Sequence, residues 1–133
     1  MILTQRGFTL TEVLITVVII GILAAVVLPK FNKVLDAYKT EEAEQLLQSV
    51  RMEQEVALEL KGAYLAPGKI AAFPGEGDTF ESDYFFYTLG EDYMEAESIN
   101  QSLSYVLEID FGTGEICCDG ADCDSLNKIY EMC

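Results

Sequence analysis

Apolar residues fill almost every position from Phe8 to Leu28, where Glu12 is the only charge, and after Pro29 the chain turns polar and acidic. About twenty apolar residues let a helix cross a bilayer, so this run is long enough to span one. Lys30 and Lys33 follow at its far end, placed to reach lipid head groups. Further on, Leu35, Tyr38, Ala43, Leu46, Leu47, Val50, Ala57 and Leu60 recur at helical steps. Glu41, Glu44, Gln48, Arg51, Glu55 and Glu59 take much of the remaining surface. The spacing predicts one nearly continuous helix from Phe8 to Lys61, about 80 Å long at 1.5 Å per residue. Gly62 supplies its stop, and Pro29 is expected to interrupt it with a kink or local unwinding.

Ala63 to Asp78 contains Pro67, Gly68, Pro74, Gly75 and Gly77 and reads as a connecting loop. Strand patterns follow. Tyr84 to Leu89 is a continuous aromatic-rich run, and Tyr93 to Ser98 is a weaker candidate. Leu103, Tyr105, Leu107, Ile109 and Phe111 alternate with Ser104, Val106, Glu108 and Asp110, the period of a half-buried strand. Gly112-Thr113-Gly114 predicts a tight turn, with Glu115 to Cys118 returning antiparallel.

Charge narrows the function. The 133 residues carry 23 acidic and 8 basic side chains, a net charge of −15, and no histidine. Direct nucleic-acid binding is not expected, because phosphate contact needs Lys and Arg. The commonest general base and metal ligand is missing, and no nucleophile–base–orienter set is visible, so neither an enzyme nor a cofactor is expected. Cys117, Cys118, Cys123 and Cys133 crowd the last seventeen residues. Beside a membrane segment such a set reads as disulfides made outside the cytoplasm rather than a zinc site. Adjacent cysteines bridge each other only with backbone strain, which leaves two connectivities open. Asp119, Asp122 and Asp124 read as a solvated acidic loop rather than a calcium site. The run Tyr84-Phe85-Phe86-Tyr87 reads as sheet packing on the helix rather than an adhesive patch.

An ordinary secretory signal is cut after its apolar run, at an A-x-A-like site that is missing here. The expected cut lies before the run. The residues Arg6-Gly7-Phe8-Thr9-Leu10-Thr11-Glu12, continued by Gly21-Ile22-Leu23-Ala24-Ala25 and Pro29, resemble the N-terminus of type IV pilins and related pseudopilins. The resemblance implies that a prepilin peptidase cuts after Gly7 and that the new amine of Phe8 is methylated. It also implies that Glu12 pairs with a neighbouring subunit's N-terminal amine during assembly. A carboxylate within an apolar span is costly and usually functional. Within the span itself no basic partner is present. Gly21 and Pro29 resemble the limits of the pilin helix segment that melts in the fibre.

The expected architecture is α+β and pilin-like, a long N-terminal helix on a small antiparallel sheet with a disulfide-tied C-terminal loop. Residues 1–7 form a leader, 8–29 a transmembrane and assembly helix, and 30–133 an extracytoplasmic head. Within the head, 30–61 is the amphipathic half of the helix, 62–80 a loop, and 81–133 the sheet and cysteine-rich tail. The expected function is a structural subunit, first in the bacterial inner membrane, then in a cell-surface fibre. Its expected partners are its own copies or related pilins, the prepilin peptidase, the inner-membrane assembly machinery and the membrane. The alternatives are a pseudopilin of a type II secretion system and a membrane-anchored monomeric binding module.

Overall fold

The computed structural model describes residues 7–99, 101, 103–126 and 130–133, with backbone alone at 29, 30, 32, 33 and 37. Arg6 and the rest of the expected leader before Gly7 lie outside the described residues, as do the side chains of Pro29, Lys30 and Lys33. The chain divides into two compact units, Met1–Leu35 and Asp36–Cys133. One helix, α1 (Leu10–Lys61, 52 residues), contributes to both.

In the first unit, α1 buries none of its described apolar side chains. The helical backbone is continuous through Gly21 and Pro29, so it does not unwind at the proline in the single subunit. A proline deprives a helix of one backbone donor, and helices in apolar surroundings tolerate that loss.

In the second unit, the strands are β1 (Thr79–Glu81), β2 (Phe85–Leu89), β3 (Tyr93–Ser98), β4 (Val106–Asp110), β5 (Ile116–Asp119) and β6 (Glu131–Met132). They form one sheet in the order β1-β2-β3-β4-β5-β6. Pairings from β1 to β5 are antiparallel, so short connections suffice, and β6 joins β5 in parallel. The sequence predicts the four central strands. It misses β1, which straddles the end of the expected loop, and β6, since segments of three and two residues show no periodicity.

The alternation read along residues 103–111 places Tyr105, Leu107, Ile109 and Phe111 in the core. The aromatic run alternates too: Phe85 and Tyr87 are buried, while Tyr84 lies at the surface under the ammonium of Lys39. Phe85 meets Tyr105 edge-on, and Phe80 stacks on Tyr87. Burial pushes the Tyr87 phenol up to about 12.

The face of α1 packed on the sheet is Thr40, Ala43, Leu47, Val50, Gln54 and Ala57, at alternating steps of three and four. Ala43, Leu46, Leu47, Val50 and Ala57 pack as expected, fully or partly buried. Leu35, Tyr38 and Leu60 do not: Tyr38 is 73% and Leu60 79% exposed. Tyr38 sits two residues from Thr40, roughly 200° around the helix, and Leu60 lies in its last turn.

Two polar residues replace the missing apolar ones. The Thr40 hydroxyl lies 3.0 Å from that of Tyr105. Gln54 donates to the Leu65 carbonyl at 3.0 Å and accepts the Leu65 N–H at 2.7 Å. Beside it, the Glu53 carboxylate accepts the N–H groups of Ala71 and Ala72. The loop after α1 is therefore held by backbone bonds to two adjacent helix residues. Gly62 (φ 74°) ends α1 in the left-handed conformation, its N–H donating to Leu58.

Candidate functional site

Gly7, Phe8 and Thr9 precede α1 without regular structure. Phe8 is 83% exposed. Thr9 is the residue before the first helical turn, and Glu12 is the acidic residue within that turn. Glu12 Oε2 accepts the Thr9 N–H at 3.1 Å and the Thr9 hydroxyl at 3.0 Å. In return the Glu12 N–H reaches Thr9 Oγ1 at 3.3 Å. This is a capping box: each side chain satisfies a backbone donor that the helix start leaves open. The apolar segment offers Glu12 no basic partner, but it offers a hydrogen-bonding one. Thr9 is that partner, and the T-x-x-E spacing before an apolar run is the signal that reveals it.

From Leu10 to Leu28 the helix has a mean hydropathy of 2.7 and none of it is buried. Val13, Leu14, Val17, Val18, Ile20 and Ile22 all face outward, at least half exposed. Water disfavours so much bare apolar surface, so the segment requires lipid or other helices around it. Gly21 meets no neighbour where a Cβ would lie, so packing within the subunit does not call for glycine there.

The cysteine-rich end pairs as Cys117–Cys133 and Cys118–Cys123. Among the connectivities left open, the strand decides. Cys117 and Cys118 are neighbours in β5 and point to opposite sheet faces. Cys118 is 1% exposed and belongs to the core, where Cys123 packs against it. Cys117 turns to the other face and takes Cys133, the exposed last residue. Between the bridges, Leu126 enters the core and the Tyr130 hydroxyl donates to the Glu44 carboxylate on α1. Burial and that carboxylate push the Tyr130 phenol upward.

The acidic loop is structural where it can be traced. Asp122 accepts the Ser104 N–H at 2.8 Å. Among the described residues, no group of three His, Cys, Asp or Glu side chains is arranged to hold a metal ion. The acids on the outer sheet face are closer together. Glu95 and Glu108 stand directly opposite in the β3–β4 register. Desolvation first, then Glu95, Asp110 and Asp92, raise the Glu108 carboxyl above its usual range.

Comparison with known proteins adds one match. Residues 2–28 fit the family model described as a prokaryotic N-terminal methylation motif. No curated protein and no solved structure matches the chain. The match covers the expected cut between Gly7 and Phe8, together with Thr9, Glu12 and Gly21, and stops just before Pro29. This chain therefore carries the prepilin-type methylation motif of the type IV pilin and pseudopilin family.

Proposed function

We propose that the chain is a structural subunit of a type IV pilus-like fibre. The precursor sits in the bacterial inner membrane with the head on the far side. A prepilin peptidase cuts between Gly7 and Phe8, and the Phe8 amine is methylated. Assembly machinery in that membrane then transfers subunits into a polymer of this chain or of related pilins. The reading rests on one observation: a helix of membrane-spanning length, bare on every side, begins directly at the methylation motif.

Within the fibre the apolar segments surround one another, so burial drives assembly as subunits leave lipid. Glu12 docks on the Phe8 amine of a neighbour. In a medium of low dielectric that attraction is strong, but desolvation removes much of the gain, so its role is register rather than net stability. Gly21 and Pro29 bound the stretch of α1 that unwinds in the polymer, since both residues weaken helix.

The test is to shear surface fibres from the native host and weigh their main component. A fibre built of this chain, beginning at methylated Phe8, supports the proposal. A mature chain retained in the membrane fraction without fibres favours a monomeric anchor. Loss of protein secretion on deletion, without loss of surface fibres, favours a secretion pseudopilin. A chain still beginning at Met1 sinks the processing step.

A further inference from the structure

The two disulfides at the C-terminus differ in what shields them. Cys118–Cys123 is shielded at one end: Cys118 is 1% exposed in the core cluster beside buried Leu126, and Cys123 is half-buried. Cys117–Cys133 lies on the outer sheet face, with Cys117 half-buried and Cys133 exposed. Among the described residues, few contacts besides the outer bridge hold the segment that it ties down. Met132 is 87% exposed, and Glu131 is exposed as well. Beyond the parallel pairing of β6 with Cys117 and Cys118, the visible backbone tie is a long Cys133 N–H to Cys118 carbonyl contact of 3.4 Å. Upstream, the tail is anchored independently by Leu126 in the core and by Tyr130 on Glu44.

We propose that Cys117–Cys133 is a redox latch on the edge of the sheet: a dithiol opens it while Cys118–Cys123 stays closed, which frees residues 131–133 and uncovers β5. A thiolate of the dithiol attacks the exposed Cys133 Sγ, and Cys117 leaves as a thiolate and takes a proton. The second thiol then attacks the mixed disulfide and releases Cys133 as a thiol. The dithiol ends as a disulfide, and the protein gains two electrons and two protons. Attack needs access to a sulfur along the bond axis: Cys133 is exposed, whereas the core closes off Cys118 and Cys123 is half-buried. Once β6 leaves, the outer backbone groups of β5 lie open, an edge able to take another extended strand. Tyr130 and Leu126 hold the chain upstream of the latch, so the core keeps its seal.

The experiment uses the full chain in detergent micelles with dithiothreitol as the dithiol. At increasing concentration the free thiols are alkylated and mapped by mass, and hydrogen exchange is followed at residues 131–133 and in β5. The expected result is alkylation of Cys117 and Cys133 at least about tenfold faster than of Cys118 and Cys123. Exchange rises at 131–133 and in β5, with β2 to β4 still protected. The double variant Cys117→Ser/Cys133→Ser should show the same exchange pattern without reductant and keep its inner bridge. Equal alkylation of all four cysteines, or unchanged protection at 131–133 once the outer bond is open, overturns the latch. Should the double variant fail to fold, the alkylation order in the unmodified chain decides alone.

Discussion

Thr9 and Glu12 cap α1 reciprocally, so the one carboxylate of the apolar segment is already engaged before any neighbour arrives. Two roles therefore meet at Glu12. It closes the first turn of its own helix, and in the proposed fibre it receives another subunit's amine. A carboxylate has lone pairs enough for both, since Thr9 engages Oε2 and an amine can approach from the other side.

The two roles separate by substitution. Glu12→Gln keeps the capping-box chemistry, which accepts Gln as well as Glu, but removes the charge. Glu12→Ala removes the charge and the bonds that Glu12 Oε2 accepts from Thr9, leaving only the Thr9 half of the box. Both variants should still insert and be trimmed at Gly7. If charge docks the subunit, both should lose most of their surface fibre. If the cap is what matters, Glu12→Gln should assemble normally and only Glu12→Ala should fail. Comparing sheared and membrane-bound protein, with each variant as the sole copy, reads the difference.

Gln54 is fully buried and satisfies both backbone groups of Leu65. Gln54→Ala leaves that N–H and that carbonyl unpaired, at about 1–3 kcal/mol for each group that water cannot reach. Leu65 is half-buried, so water relieves part of the loss, and a total of roughly 2 kcal/mol is expected. Urea unfolding of the detergent-solubilised chain, followed by tyrosine fluorescence, measures it. An unchanged midpoint would show that the loop holds without this anchor.

Which parts of this were legible in the sequence follows from how each element is specified. The strand β4 was plain because Tyr105, Leu107 and Ile109 must all point one way, and a period of two records that fact. The packed helix face was legible only through its apolar members. Thr40 and Gln54 are buried because Tyr105 and Leu65 supply partners 65 and 11 residues away, which no local pattern announces. Tyr38 and Leu60 misled because apolar identity was taken as burial. At the N-terminus the motif was readable in full, but its T-x-x-E cap was overlooked beside the more conspicuous cut site. The bridge connectivity became decidable only once Cys117 and Cys118 were placed on one strand, facing opposite sides.

The facing acids Glu95 and Glu108 give the head a pH dependence of known sign. Glu108 is raised above 4.5, so the folded state holds its proton more tightly than the unfolded chain does. Stability from this group is thus fullest below the unfolded value and is lost as pH rises through the raised folded one. Asp110 works the other way. Hydrogen bonds from Thr113 lower its carboxyl below 3.8, so its contribution is present at neutral pH and lost in stronger acid. Glu108→Gln should stabilise the head at neutral pH by the roughly 0.2–1 kcal/mol of a facing like-charge pair, seen as a higher melting temperature, and flatten the fall above pH 4.5. Melting curves of both proteins across acid to neutral pH check this, and identical slopes would refute it.

The outward face of the head helix carries a final consequence of the proposed assembly. Met52, Val56 and Leu60 are spaced four residues apart, which stacks them on one side of α1. They are 57%, 55% and 79% exposed, so within the subunit nothing covers them. Single exposed apolar residues are ordinary, but three in a row along a helix whose other face is already packed mark a contact surface. In a fibre built through α1, neighbouring subunits cover that side. Met52→Ser/Val56→Ser should therefore leave the folding of the head within about 0.5 kcal/mol of the unmodified chain, as surface changes do. Fibre yield should fall, because the polymer loses apolar burial of about 25 cal/mol for each Å² removed from water. Melting temperature and sheared-fibre yield, measured on the same variant, give the answer. Unchanged yield would place this side of the helix toward solvent in the assembled fibre, and a large drop in melting temperature would return it to the core of the head.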